Sequence, residues 1–129
     1  MRSRKLLIVW LVLGIWLLAW GGEQKVVAAP AKLDRVVYIT LSKACSCNLV
    51  LCQAGDIIVG NVFTGARKEL LKRLDYSTDR EAARVYLKQY GITQAPAILF
   101  LDTQGKLLWM ALGELSEKDI QEKLRVLGN

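Results

Sequence analysis

The segment that decides the fold is YGITQAPAILFLDTQGK, residues 90–106. Its Gly91 can adopt the left-handed conformation that ends a preceding helix. Residues 97–101 form a continuous apolar run of strand length, which is typical of a buried strand. Residues 102–105 form a turn with glycine at its end, and residues 106–111 are a second strand-like run. The segment therefore predicts a helix end followed by a β-hairpin.

Helix-start signals stand on both sides of this segment. Thr78 lies three residues before Glu81, which is the spacing of a capping box, and predicts a helix that continues to Tyr90. Ser116 lies three residues before Asp119, a shortened form of the same signal, and predicts the final helix. The apolar stripe of that final helix comprises Ile120, Leu124 and Leu127.

The upstream half begins with RVVYITL, residues 35–41, which is rich in β-branched and aromatic side chains and predicts a buried strand. A helix should follow, because residues with helical spacing recur from Leu51 onwards: Leu51, Gly55, Ile58, Val62, Ala66 and Leu70. Each glycine in this stretch disfavours the helix by about 1 kcal/mol relative to alanine, so we expect a break near Gly60. Residues 70–75 form a short second strand or continue that helix. The fold class is therefore α/β.

Three cysteines stand in ACSCNLVLC, residues 44–52. Cys47 and Cys52 cannot form a disulfide if both are helical, since residues five apart have α-carbons about 8–9 Å apart, beyond the bridging limit of about 7 Å. A bridge from Cys45 to either of the others requires Cys45 to lie in the turn before the helix. A Cys45–Cys47 ring would be small and strained, which makes a disulfide easier to reduce and suits it to exchange.

The three thiols are expected to differ in reactivity. If Ser46 caps the helix, Cys47 lies in the first turn, where free backbone amides and the helix dipole lower the pKa of a thiol. Cys47 is then the more activated thiol and Cys45 its exposed partner, although the reverse assignment stays open. Cys52 follows Leu-Val-Leu and is expected to be a buried small hydrophobe rather than a third active thiol.

Residues 90–106 resemble the second half of a thioredoxin-like domain: a helix end, a proline-bearing loop and a closing hairpin. The cysteine-bearing turn resembles the position of that family's redox motif. The resemblance covers about residues 35–127 and implies a central mixed sheet flanked by helices. It also implies that Pro96 is a cis-proline against the active-site turn. A cis bond there would turn the backbone of Ala95 outward to pair with an extended substrate segment.

The chain departs from the thioredoxin-like pattern at the cysteines. The family separates two cysteines by two residues, whereas the spacing here is C-x-C-x4-C, and Ala44 replaces the usual aromatic residue before the first cysteine. Ile39 lies on the strand where many members bury an acidic proton acceptor. These differences leave open whether the protein has ordinary disulfide-reductase activity.

The N-terminus has a targeting pattern. Residues 1–5 are basic and residues 6–20 are apolar with three tryptophans, so residues 1–22 are a signal peptide or membrane anchor. As a helix the apolar run reaches about 22 Å, which does not separate the two readings, but the tryptophans favour a retained anchor. Residues 23–34 are then a tether, and residues 35–129 form a domain on the extracytoplasmic side of the membrane. The alternative is secretion after cleavage.

Composition excludes several classes of function. The 129-residue chain has no histidine, which rules out a Ser-His-Asp triad, a Cys-His nucleophile pair and a histidine-ligated metal site. Its net charge is +6, but residues 23–129 hold fifteen basic and twelve acidic side chains, and these are scattered. We therefore expect no nucleic-acid partner.

Three functional hypotheses remain. The leading one is extracytoplasmic thiol-disulfide exchange through Cys45 and Cys47, without a cofactor, on a protein or small-thiol partner positioned by Ala95 and Pro96. The first alternative is a metal-binding module in which Cys45, Cys47 and Cys52 hold Cu(I) or another soft ion. The second is a thioredoxin-like fold that serves only as an interaction domain. The first hypothesis requires the cysteine turn to lie beside the proline loop.

Overall fold

The computed structural model describes residues 31–128. Its elements in chain order are β1 (Leu33–Thr40), α1 (Ser46–Val62), a 3₁₀ helix (Gly65–Leu70), β2 (Leu71–Asp75), α2 (Arg80–Tyr90), β3 (Ala97–Asp102), β4 (Leu107–Leu112) and α3 (Glu117–Leu127). The expected anchor and most of the expected tether lie outside the described residues. Within residues 31–128, no helix has the length and apolar character that crossing a membrane requires.

The four strands form one mixed sheet in the order β2-β1-β3-β4. β1 runs parallel to β2 and antiparallel to β3, and β3 runs antiparallel to β4. The predicted α/β class and mixed sheet are therefore confirmed, and of the two alternatives for residues 70–75 the short strand is present, over Leu71–Asp75. Residues 36–40 and 97–101 of the two central strands are all buried, which explains their nearly uninterrupted apolar sequence.

Helices cover both faces of the sheet and produce two hydrophobic clusters. Between the sheet and the layer of α1 and α3 lie Leu33, Val36, Tyr38, Val59, Val62, Phe63, Ile98, Phe100, Leu115, Ile120 and Leu124. Between the sheet and α2 lie Val37, Ile39, Leu74, Ala83, Ile92, Ala97, Leu99 and Leu101. The alternation of side chains along a strand assigns consecutive β1 residues to opposite clusters.

The first helix differs from the sequence prediction. α1 passes through Gly60 and ends two residues later at Val62, so the expected break lies just beyond Gly60, and Ala66 and Leu70 belong to a separate 3₁₀ helix. Packing explains the continuity, because Val59 and Val62 are buried against the sheet and tertiary contacts outweigh the low propensity of glycine. The tether prediction also ended two residues too late, since residues 33 and 34 belong to β1.

The helix-start signals gave mixed results. The predicted Thr78–Glu81 capping box is wrong, because the N-cap of α2 is Asp79 and no side chain makes a capping hydrogen bond there. The Ser116 prediction is confirmed, since its hydroxyl oxygen accepts from the backbone N–H three residues on at 3.2 Å. Gly91 ends α2 with φ 65°, as the sequence predicts.

Candidate functional site

The cysteine turn connects β1 to α1. Cys45 is the N-cap residue of α1, with an extended backbone (φ −62°, ψ 154°), and its side chain makes no capping hydrogen bond. Ser46 is the first helical residue, so the prediction that Ser46 caps the helix is wrong. Cys47 lies in the first turn as expected, and both Cys45 and Cys47 are exposed.

The structure brings these two thiols together. The sulfur atoms of Cys45 and Cys47 lie 3.1 Å apart, and both cysteines are free thiols. This separation is about 1 Å longer than a disulfide bond and lies within the range of a near-attack contact. The pair that the sequence singled out can therefore form a disulfide with little movement of the side chains.

The two thiols differ in acidity. The hydrogen bond from the Cys47 thiol is the main factor that lowers the pKa of Cys45, and the backbone amide of Asn48 lowers it further. The same hydrogen bond raises the pKa of Cys47. The directions of the two shifts favour Cys45 as the more acidic thiol, which is the alternative that the sequence left open. The free amide of Asn48 can contribute because Cys45 is the N-cap residue, where the first amides of the helix have no intrahelical partner.

Cys52 belongs to the core. Its side chain is completely buried, and its backbone carbonyl accepts a hydrogen bond from the Tyr38 hydroxyl at 3.3 Å. Residues 31–128 contain no group of three or more Cys, His, Asp or Glu residues arranged to hold a metal ion. The structure therefore does not bring the three cysteines of the alternative metal site together, because Cys45 and Cys47 are exposed while Cys52 is buried.

The proline loop, residues 93–96, packs against the same helix. The Ala95–Pro96 peptide bond is cis. Pro96 is fully buried, and its Cγ lies so close to Gly55 of α1 that a Cβ added there would be 3.1 Å away. The Pro96 carbonyl accepts from the backbone N–H of Gly113 at 2.8 Å, which fixes the loop against the end of β4.

A cleft of about 560 Å³ joins the cysteine turn to the proline loop. Its lining comprises Ile39, Leu41, Asn48, Tyr76, Leu87, Ile92, Thr93, Gln94 and Ala95. Asn48, the residue after Cys47, thus lines the same cleft as Ala95, the residue before Pro96, although the lining includes none of Cys45, Cys47 and Pro96. The lining residues include no Asp, Glu, Lys or Arg, and one of them is Ile39 of β1.

The backbone of Ala95 is available to a partner. Within residues 31–128, neither its N–H nor its C=O forms a hydrogen bond. Ala95 is half-buried at the edge of the cleft. An extended segment lying in the cleft could satisfy both groups in the manner of an added strand.

Comparison with known proteins rests on the fold, since no family model and no curated protein sequence matches the chain. The structure is similar to thioredoxin from Aeropyrum pernix, with a TM-score of 0.55 and 14% identity over 74% of this chain and 75% of that one. The chain folds as a thioredoxin-like domain. At this identity the similarity concerns the fold alone.

Two further structures support the same fold. The oxidised DsbD C-terminal domain from Neisseria meningitidis gives a TM-score of 0.51 and 16% identity over 74% of this chain and 80% of that one. Oxidised thioredoxin O2 from Arabidopsis thaliana gives a TM-score of 0.51 and 13% identity over 76% of this chain and 77% of that one. The resemblance stated from residues 90–106 is therefore confirmed at the level of the fold.

The thioredoxin-like domain also has two polar residues beside the cysteine turn that sequence reasoning missed. Asp75 ends β2 and is only 8% exposed, and Ser77 follows two residues later. An Asp-x-Ser sequence after a strand is a turn signal, and adjacent parallel strands end at the same edge of a sheet. These two signals together could have placed Asp75 and Ser77 next to the cysteine turn.

Proposed function

We propose that the thioredoxin-like domain carries out thiol-disulfide exchange through Cys45 and Cys47, with the partner's chain in the cleft beside Ala95 and Pro96. The observation that carries the proposal is the pair of exposed thiols 3.1 Å apart at the N-terminus of α1. A helix N-terminus favours the thiolate, which is the nucleophile in exchange. The surrounding cleft supplies a surface on which a partner disulfide can approach that nucleophile.

The first step uses Cys45, whose pKa is lowered. Its thiolate attacks one sulfur of the partner disulfide, the partner's S–S bond breaks, and the second partner sulfur leaves as a thiolate that takes up a proton. The product is a mixed disulfide between Cys45 and the partner. Backbone pairing between Ala95 and the partner would hold this intermediate in place.

The second step uses Cys47. After it loses its proton, its sulfur attacks the Cys45 sulfur, so the mixed disulfide breaks and the Cys45–Cys47 bond forms. The partner gains two electrons and two protons in total, and the domain loses the same number. The reverse sequence oxidises a partner dithiol with the same two residues. No cofactor or metal ion is required in either direction.

The same proposal covers location. The sequence pattern of residues 1–22 supports a membrane anchor with the domain on the extracytoplasmic side. Disulfides form and persist in such compartments, so the partner would be a protein disulfide or dithiol, or a small thiol, outside the cytoplasm.

The test follows the redox state of the full-length protein in glutathione buffers of graded potential, read by thiol alkylation and mass spectrometry. We expect a Cys45–Cys47 disulfide that forms and breaks reversibly. Cys47→Ser should accumulate the mixed disulfide with glutathione at Cys45, whereas Cys45→Ser should lower exchange to near the uncatalysed rate. Cys52→Ala is the matched control and should exchange like the wild type.

Two outcomes would contradict the proposal. A Cys45–Cys47 bridge that resists reduction throughout the glutathione range would favour the interaction-domain hypothesis. Equal exchange rates in the wild type and in Cys45→Ser would remove Cys45 from the reaction.

A further inference from the structure

We propose that Asp75 and Ser77 are positioning residues for the redox pair, because they hold the turn that carries Cys45 in place from a neighbouring loop. The inference rests on the proposed exchange function and assigns to it two residues outside the cysteine turn and the proline loop. Neither residue contacts the sulfur atoms in the structure. Their effect on the thiols would therefore be exerted through the backbone of residues 42–44.

Asp75 supplies the first anchor. Its Oδ1 accepts from the backbone N–H of Ser42 at 3.1 Å and from the backbone N–H of Ser77 at 2.9 Å. One carboxylate oxygen thus ties the cysteine turn to the β2–α2 loop. Hydrogen bonds to an ionised carboxylate are shorter and stronger than neutral ones, so Asp75 restrains the backbone of Ser42 strongly.

Ser77 supplies the second anchor. Its Oγ accepts from the backbone N–H groups of Ser42 and Lys43 at 3.2 and 3.0 Å, and its hydroxyl approaches the Lys43 carbonyl at 3.3 Å. Lys43 is only two residues before Cys45. Because only Ala44 separates Lys43 from the N-cap residue Cys45, a displacement of the Lys43 backbone would also displace Cys45.

These anchors account for all the hydrogen bonds of the segment between β1 and the N-cap. Within the part of the chain that the structure describes, the backbone of residues 42–44 hydrogen-bonds only to Asp75 and Ser77. The segment has no regular secondary structure that would fix it otherwise. Its conformation therefore depends on two side chains from another element.

The carboxylate is well suited to this task. Burial opposes the charge of Asp75, but the hydrogen bonds from Ser42 and Ser77 outweigh that effect and lower the pKa of the carboxyl. Asp75 consequently stays ionised at neutral pH and remains a strong acceptor. The β2–α2 loop is itself held, since the backbone N–H of Tyr76 donates to the Thr40 carbonyl at 2.9 Å.

The main test compares Ser77→Ala with Ser77→Thr, which keeps the hydroxyl, in the full-length reduced protein. The readout is the pH dependence of Cys45 alkylation by iodoacetamide, with the site resolved by fragment-ion mass spectrometry. We expect Ser77→Ala to shift the alkylation profile of Cys45 towards higher pH and to slow glutathione exchange by about tenfold, as for a displaced reacting group. Ser77→Thr should restore both.

The matched control is Ser116→Ala. Ser116, like Ser77, is a serine whose oxygen accepts a backbone N–H, but it is exposed and caps α3. We expect it to lower the urea midpoint of unfolding while leaving the Cys45 profile unchanged. If Ser77→Ala likewise lowers the midpoint without moving the Cys45 profile, its role is structural and the inference is overturned.

A second pair of variants tests Asp75. Asp75→Asn keeps an oxygen that can accept both amides, whereas Asp75→Ala removes it, so only the alanine variant should move the Cys45 profile. Equal profiles for the two variants would overturn the role of Asp75 as an acceptor. Alkylation needs no partner, so these measurements remain decisive even if the wild type exchanges no disulfide and the proposed function fails.

Discussion

The cysteine turn and the proline loop face the same cleft but are held in different ways. The backbone of the cysteine turn is tied to two side chains of a neighbouring loop, Asp75 and Ser77. The proline loop is tied by a backbone hydrogen bond from Gly113 and by close packing of Pro96 on Gly55. The conformation of the cysteine turn therefore depends on two polar side chains, whereas the position of the proline loop depends on two glycines that have no side chain.

This difference implies different sensitivities. A turn held by a carboxylate and a hydroxyl should respond to polar substitutions and to acid. A loop held by glycine contacts should respond to any added Cβ and should be nearly independent of pH. The two halves of the candidate site can therefore be disturbed separately.

The largest effect on stability is expected from Gly55→Ala. The new Cβ would lie 2.8 Å from the Tyr38 hydroxyl oxygen, which is too close, and 3.1 Å from Pro96 Cγ, which is a tight contact that requires a small shift. Overpacking should outweigh the gain in helix propensity and lower the free energy of unfolding by about 2 kcal/mol. Urea denaturation measures this loss, and glutathione exchange should slow while the Cys45 alkylation profile stays unchanged.

The control for Gly55→Ala is the same substitution in a Tyr38→Phe background. Removing the hydroxyl relieves the shorter contact, so the cost of the added methyl group should fall, and a double-mutant cycle measures the difference. An equal cost in both backgrounds would show that Tyr38 is not what limits the approach of α1 to β1.

An intermediate effect is expected from Gly113→Ala. Gly113 has φ 75°, which disfavours residues with a Cβ, and the added atom would meet the side chain of Gln94. We expect a loss of about 1 kcal/mol in the free energy of unfolding. Because Gln94 is exposed and can move, adding Gln94→Ala should recover only a small part of this loss. Full recovery would mean that the contact with Gln94, not the backbone conformation, requires glycine.

The smallest effect at neutral pH is expected from Asp75→Asn, and its signature is the dependence on pH. The pKa of Asp75 is lowered in the folded state, so its ionic stabilisation is present above the unfolded pKa and disappears as pH falls through the folded pKa. This loss should occur below about pH 4. Urea midpoints at pH 7, 5 and 3 should therefore converge for wild type and variant on acidification. A difference between the two urea midpoints that stays the same from pH 7 to pH 3 would show that the ionised carboxylate of Asp75 does not stabilise the fold.

Local sequence signals were sufficient for most of the fold. The apolar runs at residues 35–41 and 97–101 predicted the two central strands, and Gly91 predicted the end of α2. These predictions held because each depends on residues close together in the chain. The exact end of α1 was not predicted, because burial of Val59 and Val62 against the sheet carries the helix two residues past Gly60, and local propensity does not include that packing.

The candidate site was only partly accessible to the same reasoning. The C-x-C spacing identified Cys45 and Cys47, and the apolar context of Cys52 placed it in the core, where it is found. The order of activation stayed open in the sequence, because it depends chiefly on the hydrogen bond between the Cys45 and Cys47 thiols, which spacing alone does not give. Asp75 and Ser77 were missed because they lie more than thirty residues from the turn they contact.

The sequence by itself therefore determined the order of elements, the α/β class and the pair of cysteines, because periodicity, turn residues and spacing are local properties. Only the tertiary structure decided what anchors the cysteine turn, and that Asn48 beside the thiols lines the same cleft as the proline loop. Those features depend on where separate strands end at one edge of the sheet, and that arrangement exists only once the sheet has formed.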